Sequence, residues 1–171
     1  MNLNNIELAL AVRDMLRERK ARLVTAESCT AGQIAATLAC VPGMSQWLCG
    51  GFVVYRSTSK ADWLGIPRQI LDDPKHGPVS PLASRLLSEA VLAHTPDATC
   101  SLAITGDVGP GAPAITDGVC FVAIRMGSDH ELVEAKIQLT CPTPRNAEDI
   151  PARVARLEEA TGRAFELLLK C

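Results

Sequence analysis

The chain is poor in aromatic residues, which make up 4% of its 171 residues. Its core must therefore be built from Leu, Val, Ile and Ala rather than from ring stacking. No apolar run approaches the ~20 residues that a membrane-spanning helix needs, and the polar start of the chain does not read as a signal peptide. A net charge of −2 gives no electrostatic pull toward nucleic acid or an anionic membrane. The cysteines, at 29, 40, 49, 100, 120, 141 and 171, are odd in number and include no Cys-x-x-Cys pair. That argues against a zinc knuckle and against a disulfide framework; most read as small buried hydrophobes in a reducing cytoplasm. There is no internal repeat, no linker, no Gly-x-Ser-x-Gly elbow and no metal-ligand spacing.

What is present is a hydrophobic fraction of 47%, enough to rule out disorder, in a length suited to one domain over 1–171. Apolar periodicity predicts a first helix from Asn5 to Lys20, with Leu8, Ala9, Val12, Met15 and Leu16 on one face. A short β-prone strand begins at Leu23 and runs into Glu27-Ser28-Cys29-Thr30, followed by a small-residue helix from Ala31 to Cys40. A second strand is expected over Cys49–Arg56. Ser57 would then cap a short helix, Thr58–Leu64. After a loop over 67–79, Ser80 and Pro81 open a clear helix that ends near Pro96. Cys100–Thr105 reads as a central strand, Gly106–Ala114 as a loop, Val119–Met126 and His130–Leu139 as strands joined by a turn at Gly127-Ser128-Asp129. A last helix is expected from Ala147 to Lys170, buried through Ile150, Val154, Leu157, Ala164 and Leu168. Helices alternate with strands before a late antiparallel pair, so the fold class is α/β: a mixed sheet with helices on both faces.

Three polar clusters follow apolar strands: Glu27 to Thr30, Tyr55 to Lys60, and Thr105-Gly106-Asp107. Open α/β sheets bind ligands outside the carboxyl ends of their strands, so these clusters are candidates to line one cleft. A hydroxyl at a strand–helix junction is commonly a cap, and Thr30 capping the helix would leave Ser28 free. Cys29 is an alternative nucleophile, although no neighbouring histidine activates it. Lys60, expected in the first turn of a helix, faces the positive dipole end, which lowers a lysine's pKa as base chemistry requires, although a lysine at such a place is more commonly a solvated surface residue. His76, His94 and His130 show no partner in the sequence. Gly106 to Gly111 is not a dinucleotide motif, since Pro110 removes an N–H and a strand follows.

Thr-Ala-Glu-Ser-Cys-Thr-Ala-Gly at 25–32, Gly-Gly-Phe-Val-Val-Tyr at 50–55 with Lys60, His-Gly-Pro-Val-Ser at 76–80 and Ala-Ile-Thr-Gly at 103–106, with Gly-Pro-Gly at 109–111, occur in the order found in one family. They resemble the C-terminal domain of competence/damage-inducible protein CinA. The resemblance covers about residues 5 to 170. It implies a three-layer α/β/α sandwich with a mixed, mostly parallel sheet. It also implies nicotinamide-nucleotide amidase activity: nicotinamide mononucleotide is hydrolysed to nicotinate mononucleotide and ammonia, in pyridine nucleotide salvage, with no metal or organic cofactor.

By the same resemblance Ser28 is the nucleophile, with Lys60 and Tyr55 the other catalytic residues. Substrate-binding positions fall on Thr30, Gly32, Ser57, Thr105, Gly106, Gly109 and Arg145. A small-molecule nucleotide substrate and a homo-oligomer are the expected partners, with neither nucleic acid nor membrane. The sequence departs from the family where Ala31 replaces Gly, Ser57 replaces Asn, Asp107-Val108 replaces Ile-Ala and Ala112-Pro113 replaces further glycines. Around 142–149 it departs again, because Pro-Thr-Pro, Asn146 and Asp149 interrupt the usual Gly-Asp-Arg…Arg pattern. Asp107 adds a carboxylate to the loop that should hold the nucleotide, and it would repel a phosphate. Two other readings therefore stay open: a nucleotide-binding relative without turnover, and an amidase for a different carboxamide.

Overall fold

A computed structural model of the chain describes residues 2–127, 129 and 131–171. The sheet is built from β1 (Leu23–Glu27), β2 (Leu48–Val53), β3 (Cys100–Gly106), β4 (Val119–Met126) and β5 (Glu131–Gln138), in the order β2-β1-β3-β4-β5. β1 pairs in parallel with both β2 and β3, and β4 runs antiparallel to β3 and β5. Every strand but β4 thus points the same way, as a mixed, mostly parallel sheet requires. The turn expected over Gly127-Ser128-Asp129 and the start of the last strand at His130 lie in part outside the described residues.

Alternation along the central strands sorts the core into two layers. Leu23, Leu102 and Ile104 face α1 (Leu3–Arg19), α2 (Gln33–Ala39) and α6 (Ile150–Leu168). Val24, Ala26 and Ala103 face α3 (Ser57–Leu64), α4 (Arg68–Leu71) and α5 (Pro81–His94). With leucine, isoleucine, valine and alanine on both sides, β1 and β3 are buried along almost their whole length. α5 opens as expected: Ser80 Oγ accepts from the Ala83 N–H at 3.1 Å, with Pro81 in the first turn. No helix among the described residues is long and apolar enough to cross a membrane.

Several boundaries differ from the sequence expectation, each for a local reason. β2 stops at Val53, so Tyr55 and Arg56 belong to the loop after it. Ser57 is the first residue of α3 rather than its cap. Ser59 Oγ takes that role, accepting from the Arg56 N–H at 3.2 Å. α2 begins at Gln33 because Ala31 and Gly32 have φ of +52° and +94°, outside the helical region. α6 begins at Ile150, and Ile150 and Val154 are exposed rather than core. The inward positions of its first turns are taken by Arg153 and Arg156, which find polar partners in the loops at that end of the sheet. His94 packs edge-on against Phe52, with ring centroids 6.2 Å apart, and its Nδ1 bonds the Ala90 carbonyl.

Candidate active site

The turn after β1 is held by a buried carboxylate. Glu27 is 1% exposed. Its oxygens accept from Thr30 Oγ1 at 2.7 Å and from the N–H groups of Gly32, Ile34 and Ala35 at 2.8–3.0 Å. A carboxylate at this point satisfies the donors that a helix start leaves open and meets the positive end of its dipole. The sequence placed Glu27 beside Ser28, the expected nucleophile, without assigning it this role. β2 must come close for the arrangement to close: a Cβ on Gly51 would stand 2.4 Å from Thr25 Oγ1. Only glycine fits there.

These donors are consequently not free for substrate. Thr30 and Gly32, expected to bind it, serve Glu27 instead, and the α2 N–H groups cannot act as an oxyanion site. Thr105 is also turned away. Its buried hydroxyl donates to the Pro78 carbonyl at 2.7 Å, tying the 76–80 segment to the end of β3.

Ser28 stands one residue past Glu27, its own N–H bonded to the Ile104 carbonyl at 3.0 Å. Lys60, four positions into α3, reaches back under the sheet end. Its Nζ lies 2.9 Å from Ser28 Oγ and 3.0 Å from the Val54 carbonyl, and the residue is 2% exposed. Burial pulls the Lys60 pKa from 10.5 down to about 8. No carboxylate is paired with it among the described residues. The lowering comes from desolvation of the ammonium rather than from the helix-dipole placement inferred from the sequence.

Ser28 and Lys60 open into a cavity of about 380 Å³. Tyr55, Ser57, Gly106 and Gly109 line it, so these expected site residues do gather there, with Pro78, Val79 and the 107–113 loop completing the wall. Cys29 also lines it. Its Sγ lies 4.0 Å from Cys120 Sγ. The Cys120 contact and burial together raise the Cys29 pKa well above the ordinary thiol value. The thiol therefore stays protonated and is a poor nucleophile.

Arg145 is not at the site. Its side chain is 87% exposed and bonds Asp149 Oδ2 at 3.0 Å. The cavity arginine is Arg153, one turn into α6, which donates to Tyr55 Oη at 2.7 Å and to the Gly109 carbonyl. It ties the loop after β2 to the loop after β3. Behind it, Arg156 holds Asp117 through both carboxylate oxygens, at 2.7 and 3.0 Å, and fixes the far end of the 107–118 loop. That pairing keeps the Asp117 carboxyl below the usual range. The sequence carried one signal for Arg153: it follows the inward spacing of the last helix, which a start at Ala147 obscures. His76 sits 4.0 Å from Asp73 and outside the cavity lining.

The sequence model of the CinA C-terminal domain matches residues 5–168. The chain belongs to the CinA C-terminal domain family. A CinA-like protein of Syntrophus aciditrophicus is 40% identical over 123 residues, covering 70% of this chain and 28% of that protein. Another CinA-like protein, from Prochlorococcus marinus, is 35% identical over 131 residues, covering 77% and 30%. The chain thus spans less than a third of the length of these CinA relatives. Among solved structures, a competence/damage-inducible protein of Agrobacterium tumefaciens superposes with a TM-score of 0.82 at 27% identity, covering 98% of this chain and 94% of that one. A CinA superfamily protein from Klebsiella pneumoniae gives 0.84 at 24% identity, covering 99% and 97%, a likeness of fold.

Proposed function

We propose that this CinA-family chain is a nicotinamide-nucleotide amidase whose nucleophile is Ser28 and whose base is Lys60. The carrying observation is the 2.9 Å contact between the two, inside a cavity at the strand ends. A lysine of pKa about 8 is roughly one-tenth neutral at pH 7, against about one part in three thousand for a lysine at 10.5. The Val54 carbonyl takes one N–H of the neutral amine, which turns the lone pair toward the serine hydroxyl.

Ser28 Oγ then attacks the carboxamide carbon while its proton passes to Lys60 Nζ. The tetrahedral intermediate collapses as Lys60 returns that proton to the departing nitrogen. Ammonia leaves and an ester remains on Ser28. Water, deprotonated by the same amine, attacks the ester; as the bond to Ser28 breaks, the Lys60 ammonium returns the proton to Oγ, and the acid leaves as its carboxylate with its own proton lost to solvent. Direct contact makes a relay through Tyr55 unnecessary, and Tyr55 instead receives the Arg153 hydrogen bond. The α2 donors are committed to Glu27, so an oxyanion has to be met by groups other than these.

The test is ammonia release from nicotinamide mononucleotide. Ser28→Ala is expected to lower it by 10³-fold or more, roughly what loss of a covalent route costs. Equal rates for variant and wild type would remove Ser28 from the reaction. Binding of the nucleotide by the wild type without ammonia would favour a binding protein.

Arg153 is the cation available to the phosphate, since its present partners are a neutral phenol and a carbonyl. Arg153→Ala is expected to raise KM for the mononucleotide roughly tenfold or more, as loss of a charged hydrogen bond does. KM for nicotinamide riboside, which lacks the phosphate, should change little. A parallel rise for both ligands would mean that Arg153 shapes the cavity rather than reads the phosphate.

A further inference from the structure

Asp107 is the one carboxylate among the residues lining the cavity. It lines the cavity, and no cation or donor is paired with its carboxylate among the described residues. Its backbone is fixed on both sides: the N–H bonds the Val119 carbonyl at 3.0 Å and the carbonyl accepts from Gly118 at 2.8 Å. Alternation beyond Ala103 and Thr105 puts Asp107 on the sheet face covered by α3 and α5, the side from which Lys60 enters. Along the chain it falls between the level of the nucleophile, marked by the Ser28–Ile104 bond, and Gly109, where Arg153 docks.

Apart from the base Lys60 at the Ser28 end, the lining carries one cation, Arg153, and one anion, Asp107. Resting on the amidase reading above, we infer that Asp107 is a specificity residue that selects a carboxamide on a positively charged ring. A substrate matching this order has its amide at Ser28, a cation next and an anion last. Nicotinamide mononucleotide has that order, since the quaternary ring nitrogen stands between amide and phosphate. The carboxylate then opposes the ring charge, and the phosphate lies farther out at Arg153. The repulsion expected from the sequence is avoided by this separation. In this half-open cavity, at low salt, such a charge pair is worth about tenfold in affinity.

The experiment measures binding by calorimetry in a Ser28→Ala background, which blocks turnover. Two ligands are compared at low salt: nicotinamide mononucleotide, and its dihydropyridine form, which keeps amide and phosphate but has a neutral ring. The Asp107 protein is expected to prefer the charged ring about tenfold. Asp107→Asn should abolish that preference, and Asp107→Glu should retain most of it, which separates charge from fold. An unchanged preference in Asp107→Asn overturns the inference. So does tighter binding of the charged ring by that variant, because the carboxylate would then be facing the phosphate. If neither ligand binds and the wild type releases no ammonia, the amidase reading fails and takes this inference with it. Ammonia release by the wild type with no ring-charge preference defeats the inference alone.

Discussion

Lys60→Met is expected to abolish ammonia release and, at neutral pH, to leave the protein slightly more stable than the wild type. The two effects have opposite sign because the amine is in place for chemistry at the expense of the fold. Loss of a general base lowers a rate by about 10²–10⁴-fold. Burial holds the Lys60 pKa at about 8, against 10.5 for the free side chain. The unfolded chain therefore binds the proton more tightly, at a cost to the native state on the order of 3 kcal/mol. Methionine matches the stem and carries no charge, but it leaves the buried Val54 carbonyl without its donor, a loss of about 1–3 kcal/mol, while Ser28 Oγ opens on the cavity and can be met by water. The net gain is about 1 kcal/mol.

The pH dependence is distinctive. The native-state penalty is complete below pH 8 and fades as pH rises from about 8 to 10.5, so wild-type stability climbs toward the variant's over that window. Urea unfolding of both proteins across it reads Lys60 together with Cys29, the thiol whose charge acts on it; the other buried thiols are common to both. In the wild type, kcat/KM should rise with pH and level off near 8. A flat rate profile, or a variant less stable by several kcal/mol, would show that Lys60 is held charged and structural.

The α/β class and the order of elements were legible because each rests on local signals, whereas the pairing of Ser28 with Lys60, 32 positions apart, was expected only through the family resemblance. Ser80-Pro81 is a helix start in sequence and in structure, and the β1 run is apolar because both faces are covered. What was not legible depends on where long side chains go. Arg145 and Arg153 are indistinguishable as residue types, and Asp149 decides between them by capturing the first. Thr105 looked like a substrate residue until the Pro78 carbonyl came within reach from across the fold. The Cys29–Cys120 contact joins positions 91 apart, and no spacing rule anticipates it. Ile150 and Val154 fit an apolar stripe, yet the helix is rotated by two arginines whose partners lie in the 107–118 loop and at Tyr55.

Glu27 shows the same lesson most strongly, and replacing it is expected to be the most destabilising change at this end of the sheet. In sequence it stands beside Ser28 with no role assigned to it. Here its oxygens are already engaged by five donors, Thr25 Oγ1, Thr30 Oγ1 and the N–H groups of Gly32, Ile34 and Ala35. Glu27→Ala leaves these without a partner at a cost of about 1–3 kcal/mol each where water cannot enter. Ile34 is fully buried, whereas Gly32 and Ala35 are partly open, so the total is about 4 kcal/mol or more. Glu27→Gln is the sharper probe. The amide keeps the size but turns an NH₂ toward N–H groups that need an acceptor, so a loss of about 2–3 kcal/mol in urea unfolding is expected. Where this variant is still folded, kcat should fall more than KM rises, because the Ser28 turn is displaced while Arg153 and the 107–113 loop stay in place. A Gln variant with an unchanged urea midpoint would mean that the carboxylate is not what holds the start of α2, and the Ser28–Lys60 geometry would need another support.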